Sequence, residues 1–333
     1  MKIEEIKNQN LTLSDEEISR LKSAYRRSIT LGLRELDDEE MPEVTFNSFN
    51  PHDFRDSIHF FSVIIRSCDS EELLKVILKA CFKQIEVLEN AYEQEDSLLM
   101  RDQISKVLSF FYSQLGFLLL KGAKKEDYDY ECGYSFLPYS KIAERCNLSS
   151  NNKEAEKYLC KAFMYSPHNV ELQYDLGCFY LFNCKKEEHC LLVKASKYFL
   201  STREAYKDLK NSLFLPIFIN HELINYCGAL LYDNKYYEEA FKMFMYAYEL
   251  DKAKNHRFKD RDFYCYNLAL YYLDCSKKSD IDSLKNKYKR KGIRYIKELE
   301  RIVQSKGMTF KEFINDPQND PDGIIKEYIK INQ

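Results

Sequence analysis

Residues Phe136–Asn169 read FLPYSKIAERCNLSSNNKEAEKYLCKAFMYSPHN, and the spacing of their apolar positions decides the fold class. Tyr139, Ile142, Ala143 and Cys146 stand at i, i+3, i+4 and i+7, which is one face of a helix. Ala155, Leu159 and Ala162 continue the pattern after a break. Between them the run NLSSNN at 147–152 supplies Asn and Ser, whose short polar side chains compete for backbone hydrogen bonds and favour a turn. Pro167 ends the second segment because it has no N–H to donate. The stretch therefore predicts two antiparallel helices, with Ala143, Ala155 and Ala162 small enough for the axes to approach closely.

Working outward, the same ingredients return. Thirty-four residues after Ala143 stands Gly177, with Leu176 before it and Tyr180 three places on. A second helix for this pair is delayed by an insert at 184–189 before Ala195, Phe199 and Thr202. The next pair is in clean register, with Ile224, Cys227, Gly228 and Leu231 followed by Ala240, Phe244 and Ala247. Asn267, Leu268, Ala269 and Tyr272 mark a fourth first helix, whose partner is a long helix over about 280–306 carrying Tyr288, Ile296, Leu299 and Val303 on one face. The period and the order Leu-Gly, Tyr, Ala, large apolar, Ala, Pro resemble the tetratricopeptide repeat over about residues 136–275. The resemblance implies an all-α, right-handed α-solenoid of antiparallel helix pairs.

The flanks extend this plan. Residues 1–13 read as a loose lead-in, and 14–130 as an N-terminal helical region of divergent repeats. Residues 131–306 hold the repeats proper, and 307–333 form closing helices that cap the stack. Ser14 with Glu17 makes a capping box, and Asn50-Pro51 places proline in a first turn. Phe54, Ile58, Phe61, Ile65 and Cys68 space one helix, and Asp69 with Glu72 opens the next. Residues 97–120 make a fourth, whose Leu115-Gly116 and Leu119 echo a first helix of a repeat. Residues 43–50 are an extended piece or an ordered loop. Thr309 with Glu312, and Asp320-Pro321, start the two closing helices.

Composition agrees. Nine Gly and seven Pro in 333 residues are few, which favours helices over turn-rich sheet. A hydrophobic fraction of 45% is enough for a core. A net charge of −3 gives no overall attraction to nucleic acid or anionic lipid, so neither is an expected partner. The most apolar run, Val107–Leu120, is broken by Ser109, Ser113 and Gln114 and is too short to span a bilayer. The first twenty residues are polar and acidic, unlike a signal peptide. Eleven cysteines without a Cys-x-x-Cys pair sit mostly in apolar stripes, which points to a reducing, cytoplasmic setting.

Motifs that carry chemistry are weak throughout. Cys178, Cys184, His189 and Cys190 are zinc-type ligands without zinc spacing, so no metal is expected. Residues 316–323 superficially resemble a calcium loop. The positions that need oxygen ligands read Gln318 and Ile329, and helix capping explains the segment. There is no Gly-rich phosphate loop, nucleophile elbow or His-Glu-x-x-His helix. Neither catalysis nor a cofactor is expected. Lys285, Lys287, Lys289, Arg290, Lys291 and Arg294 form a basic run on the last long helix, read as a solvated face because Glu298 and Glu300 follow.

The functional expectation is a non-enzymatic scaffold or adaptor that holds a protein or peptide on the concave face of the solenoid. A receptor whose pitch responds to a ligand or peptide is the alternative. Resemblance to repeat-containing co-chaperones implies a clamp of Lys, Asn and Arg for a C-terminal carboxylate. Here the matching first-helix positions read Ser140, Lys141 and Glu144, then Tyr174, Asp175 and Cys178, then Asn225, Tyr226 and Ala229, then Tyr266, Asn267 and Leu270. Acids and tyrosines thus stand where the clamp needs cations. The expected lining is Glu171, Tyr174, Asp175, Glu222, Asn225, Tyr226, Tyr266 and Asn267, suited to a basic and apolar segment held by ion pairs and by cation–π contact.

Overall fold

The computed structural model describes the chain apart from residues 31–43, 49, 51–53, 121–135, 184–188, 209–218, 254–260, 317–322, 324, 327–328 and 330–333. Of residues 30, 136–138, 140, 206–208 and 253 it describes the backbone only. Among the described residues there are helices and no strand. In chain order they are α1 (Ile3–Lys7), α2 (Asp15–Thr30), α3 (Phe54–Arg66), α4 (Glu71–Gln94), α5 (Leu98–Leu119), α6 (Phe136–Arg145) and α7 (Asn152–Tyr165). There follow α8 (Val170–Asn183), α9 (His189–Asp208), α10 (His221–Asp233), α11 (Tyr237–Ala253), α12 (Arg261–Lys278), α13 (Asp282–Ser305) and α14 (Phe310–Asn315). The chain is all-α, built of packed neighbouring helix pairs, and divides into two units, Met1–Asp175 and Leu176–Gln333. The boundary expected at 130/131 lies among residues outside the described set.

In the first unit, sequence signals place the helix starts. Ser14 and Glu17 close their capping box, the Ser14 N–H donating to Glu17 Oε2 at 2.9 Å and the Glu17 N–H to Ser14 Oγ at 3.2 Å. Glu17 also accepts from Lys79 Nζ of α4 at 2.8 Å, so one carboxylate both starts α2 and docks it. The cap of α4 is Ser70, whose Oγ accepts from the Leu73 N–H, and not Asp69. Ser97 caps α5. The core joins Tyr25 stacked on Phe60 with Phe61 edge-on to Phe111. Residues 44–48 are irregular. Phe46 is buried, and Gln84 Nε2 donates to the Thr45 and Phe46 carbonyls. Residues 1–13, read as a lead-in, contain α1, with Ile3, Ile6 and Leu13 buried. The Asn50-Pro51 start lies partly outside the described residues.

The expected pairing of residues 136–146 with 152–165 is corrected by the packing. Tyr139, Ile142, Ala143 and Cys146 are buried as spaced, yet α6 lies against α3 and α5. Helix α7 packs along α5 instead. A Cβ on Gly116 would sit 2.7 Å from Leu159 Cγ, so the missing side chain is what lets the two axes close. The Asn151 N–H donates to the Leu119 carbonyl at 2.9 Å, bringing the start of α7 to the end of α5. Both Ala143 and Gly116 are small, but Gly116 lacks the β-carbon and admits the nearer neighbour. Helix α6 is thus inserted within a pair. Asn147 ends it at φ 52°, a left-handed position that Asn tolerates, with the Leu148 N–H returning to the Ala143 carbonyl.

The second unit repeats the α5–α7 contact. A Cβ on Gly177 of α8 would lie 2.6 Å from the Phe199 ring of α9, and one on Gly228 of α10 would lie 2.7 Å from the Phe244 ring of α11. In the last pair the small residue moves to the second helix: Gly292 of α13 faces Leu273 of α12, where a Cβ would come within 2.9 Å. Ala155, Ala195 and Ala240, all buried, stand four residues before Leu159, Phe199 and Phe244. Of the closing helices, α14 carries the foreseen Thr309–Glu312 capping box. Asp320-Pro321 lies outside the described residues. No described helix is long and apolar enough to cross a membrane.

Candidate functional site

Helix α8 explains where the first predicted residues went. Every residue from Leu172 to Leu181 is buried, so the helix has no polar face. Glu171 is exposed at its first turn, but Tyr174 and Asp175 are only 1% and 2% exposed. These two are core residues of α8 and do not line an open groove, which corrects that part of the expected lining. Tyr266, at 8%, is buried in α12 as well. A tyrosine one helical step from a polar neighbour cannot be told from a core tyrosine by spacing alone.

The remaining predicted residues come together on α10 and α12. Asn267 Nδ2 donates to Asn225 Oδ1 at 2.9 Å, and both amides are half-buried. One turn before, His221 Nδ1 and the Tyr264 hydroxyl share a hydrogen bond, with the rings edge-on at 5.6 Å. Two turns after, the Tyr232 hydroxyl donates to Asp274 Oδ2 at 2.9 Å. These three rungs link the first helices of successive pairs, side by side and parallel. Burial, and then the Asp274 carboxylate, push the Tyr232 phenol well above its usual range, so it stays a donor. Lys278 closes the end of the ladder, with its Nζ 2.9 Å from Asp274 and 4.2 Å above the Tyr237 ring. Glu222 and Tyr226 are half-buried on α10 beside the rungs. The Asn pair uses one proton of Asn267 and the carbonyl of Asn225. That leaves an amide donor and a carbonyl acceptor close together, the functionality that an extended peptide backbone complements.

A second surface was missed by reading the basic run as contiguous. Arg290, Arg294, Lys297 and Arg301 are all exposed and line an open groove of about 630 Å³ along α13. Their spacing of four, three and four residues places them on one helix face. Lys297 and Arg301 lie beyond the run, where Glu298 and Glu300 disguise them; the helical period was the signal that could have found them. Ile293 lines the same groove, as does buried Ile302. Glu298 enters it too, but its carboxylate accepts from the Tyr248 hydroxyl of α11 at 2.8 Å. Lys291, by contrast, lies over the Tyr272 ring at 5.0 Å.

Among the described residues no three His, Cys, Asp or Glu side chains gather as a metal would require. Cys184 lies outside those residues, and Cys190 is exposed at the start of α9. No protein-family model, curated protein or solved structure matches the chain.

Proposed function

We propose that this protein is a non-enzymatic, cytoplasmic scaffold of tetratricopeptide-like helix pairs that holds a protein or peptide segment against its first helices. The observation that carries the reading is the Asn225–Asn267 rung, a half-buried amide pair linking α10 and α12. Helices held side by side in this way preorganise a surface, so the ordering entropy on binding falls on the ligand. The small-to-large contact at Gly116, Gly177 and Gly228 supports the repeat assignment. The active surface is narrower than the sequence suggested, consisting of Glu222, Asn225, Tyr226 and Asn267.

The test begins with capture of partners from the source cell and their identification by mass spectrometry. The bound segment is then titrated against the wild type, Tyr226→Ala and Asn267→Ala. Loss of an aromatic anchor and of the amide pair should each weaken binding by about tenfold or more. Equal affinity for wild type and both variants, with circular dichroism unchanged, removes this surface from consideration. A ligand-responsive receptor remains the second reading, because the α13 groove shares no lining residue with the α10–α12 surface.

A further inference from the structure

The chain carries a net charge of −3, yet α13 alone holds eight Lys and Arg against three Asp and Glu. Several cations elsewhere are matched, among them Lys79 with Glu17, Lys161 with Glu89, Arg203 with Glu249, Arg261 with Asp251 and Lys306 with Asp262. Arg290, Arg294, Lys297 and Arg301 have no carboxylate partner among the described residues. The four span twelve residues, a rise of roughly 16 Å at 1.5 Å per step, in one line. Like charges lined up this closely raise each other's energy, and an anionic occupant relieves that repulsion. The one carboxylate in the groove, Glu298, is taken by Tyr248.

The floor distinguishes the possible occupants. Ile293 is half-buried beside the line of cations and offers them an apolar neighbour, whereas Ile302 is buried. Single-stranded nucleic acid is held by aromatic platforms as well as cations. The described lining contains no aromatic ring, and Tyr295 of the same helix is stacked on Tyr272 at 5.8 Å. A volume of about 630 Å³ suits a few side chains of a peptide. We infer that this groove docks an acidic protein segment, with Asp or Glu carboxylates on Arg290, Arg294, Lys297 and Arg301 and an aliphatic side chain on Ile293. The surface is separate from the α10–α12 face and takes a ligand of opposite charge, which makes the protein a two-surface adaptor.

The experiment uses the full chain and fluorescence anisotropy. The probes are a labelled twelve-residue peptide of Glu and Asp with Leu at every fourth position, its Leu→Ser counterpart and a labelled oligo-dT. Vesicles containing phosphatidylserine are tested by co-sedimentation. Saturable binding of the first peptide is expected, weakened at least tenfold by the double variant Arg294→Glu/Lys297→Glu and several-fold by Ile293→Ser. The Leu→Ser peptide should bind several-fold less well, and raising salt from 50 to 200 mM should weaken binding markedly. Tyr226→Ala should leave this affinity unchanged, so failure here is distinguishable from failure of the α10–α12 surface. The inference is overturned by peptide binding that ignores the double variant, or by no binding at millimolar peptide. Tighter binding of oligo-dT or of the vesicles, lost in the double variant, also overturns it by naming another occupant.

Discussion

Replacing Gly228 with alanine tests the contact on which the helix pairs rest. The new Cβ would lie 2.7 Å from both Cδ1 and Cε1 of Phe244 and 3.1 Å from Met243 Cβ. Ordinary carbon–carbon contact begins near 3.5 Å, so the pair must open by about 0.8 Å or the ring must turn. Phe244 is 2% exposed and tilted against Tyr232 at 6.4 Å, which leaves the ring little room. Overpacking of this kind costs about 1–3 kcal/mol. Against it, alanine gains about 0.8–1 kcal/mol over glycine inside a helix. The clash outweighs that gain, and the net loss should be up to about 2 kcal/mol, read as a lower urea midpoint with faster hydrogen exchange in α10 and α11. Phe244→Val removes the two ring atoms in the way. In that background the same Gly228→Ala change should become neutral or stabilising, a coupling that only a direct contact produces. If Gly228→Ala alone stabilises by about 1 kcal/mol, the methyl has room and the close approach is refuted.

Other expectations follow from the polar contacts. Burial raises the Glu89 carboxyl, but hydrogen bonds from Tyr112, Lys161 and Tyr165 outweigh it and hold the group below its usual range. Its stabilising effect is therefore complete above the unfolded carboxylate value of about 4.3 and fades as pH falls through the lower folded value. Glu89→Gln should melt below wild type at pH 7, with the gap closing toward pH 3; a pH-independent gap would contradict this. Asp251 is 1% exposed and held by Arg261 Nε at 2.6 Å. Arg261→Met strands that carboxylate and should cost about 3–5 kcal/mol, most of it recovered by adding Asp251→Leu. Chemical denaturation of the three variants measures both. Burial, and then the neighbouring Cys146 sulfur 3.9 Å away, push the Cys68 thiol up to about 12. With iodoacetamide at pH 7.5 the exposed Cys190 should alkylate well before Cys68, Cys81 or Cys265, as peptide mass mapping will show.

Helix existence was legible because period and caps are local. Ser14 and Thr309 cap where their spacing to Glu17 and Glu312 predicts, and Gly307 ends α13 at φ 80°. Pairing was harder. Ala143 and Gly116 both offered a small residue, and only the three-dimensional approach of α5 to α7 chose between them. Of the expected lining, the sequence placed Asn225 and Asn267 on first helices and they lie side by side in space, whereas Tyr174 and Asp175 belong to a helix buried all round, which no polar stripe revealed. The α13 groove was hidden because its cations alternate with Glu298 and Glu300, so charge read along the chain conceals charge read around the helix.

The insertion of α6 between α5 and α7 bears on the order in which the protein folds. Three residues separate α10 from α11, while residues 120–151 separate α5 from α7. Closing the longer loop costs about 2 kcal/mol more in chain entropy than closing the shorter. The α10–α11 hairpin can therefore form on its own at little penalty and serve as an early template for its neighbours. Helices α5 and α7 reach each other cheaply only once α6 has shortened the path by docking on α3 and α5. The first unit then folds from a non-local closure and the second from local ones. In pulse-labelling hydrogen exchange, protection should arise in α10 and α11 before it arises in α7.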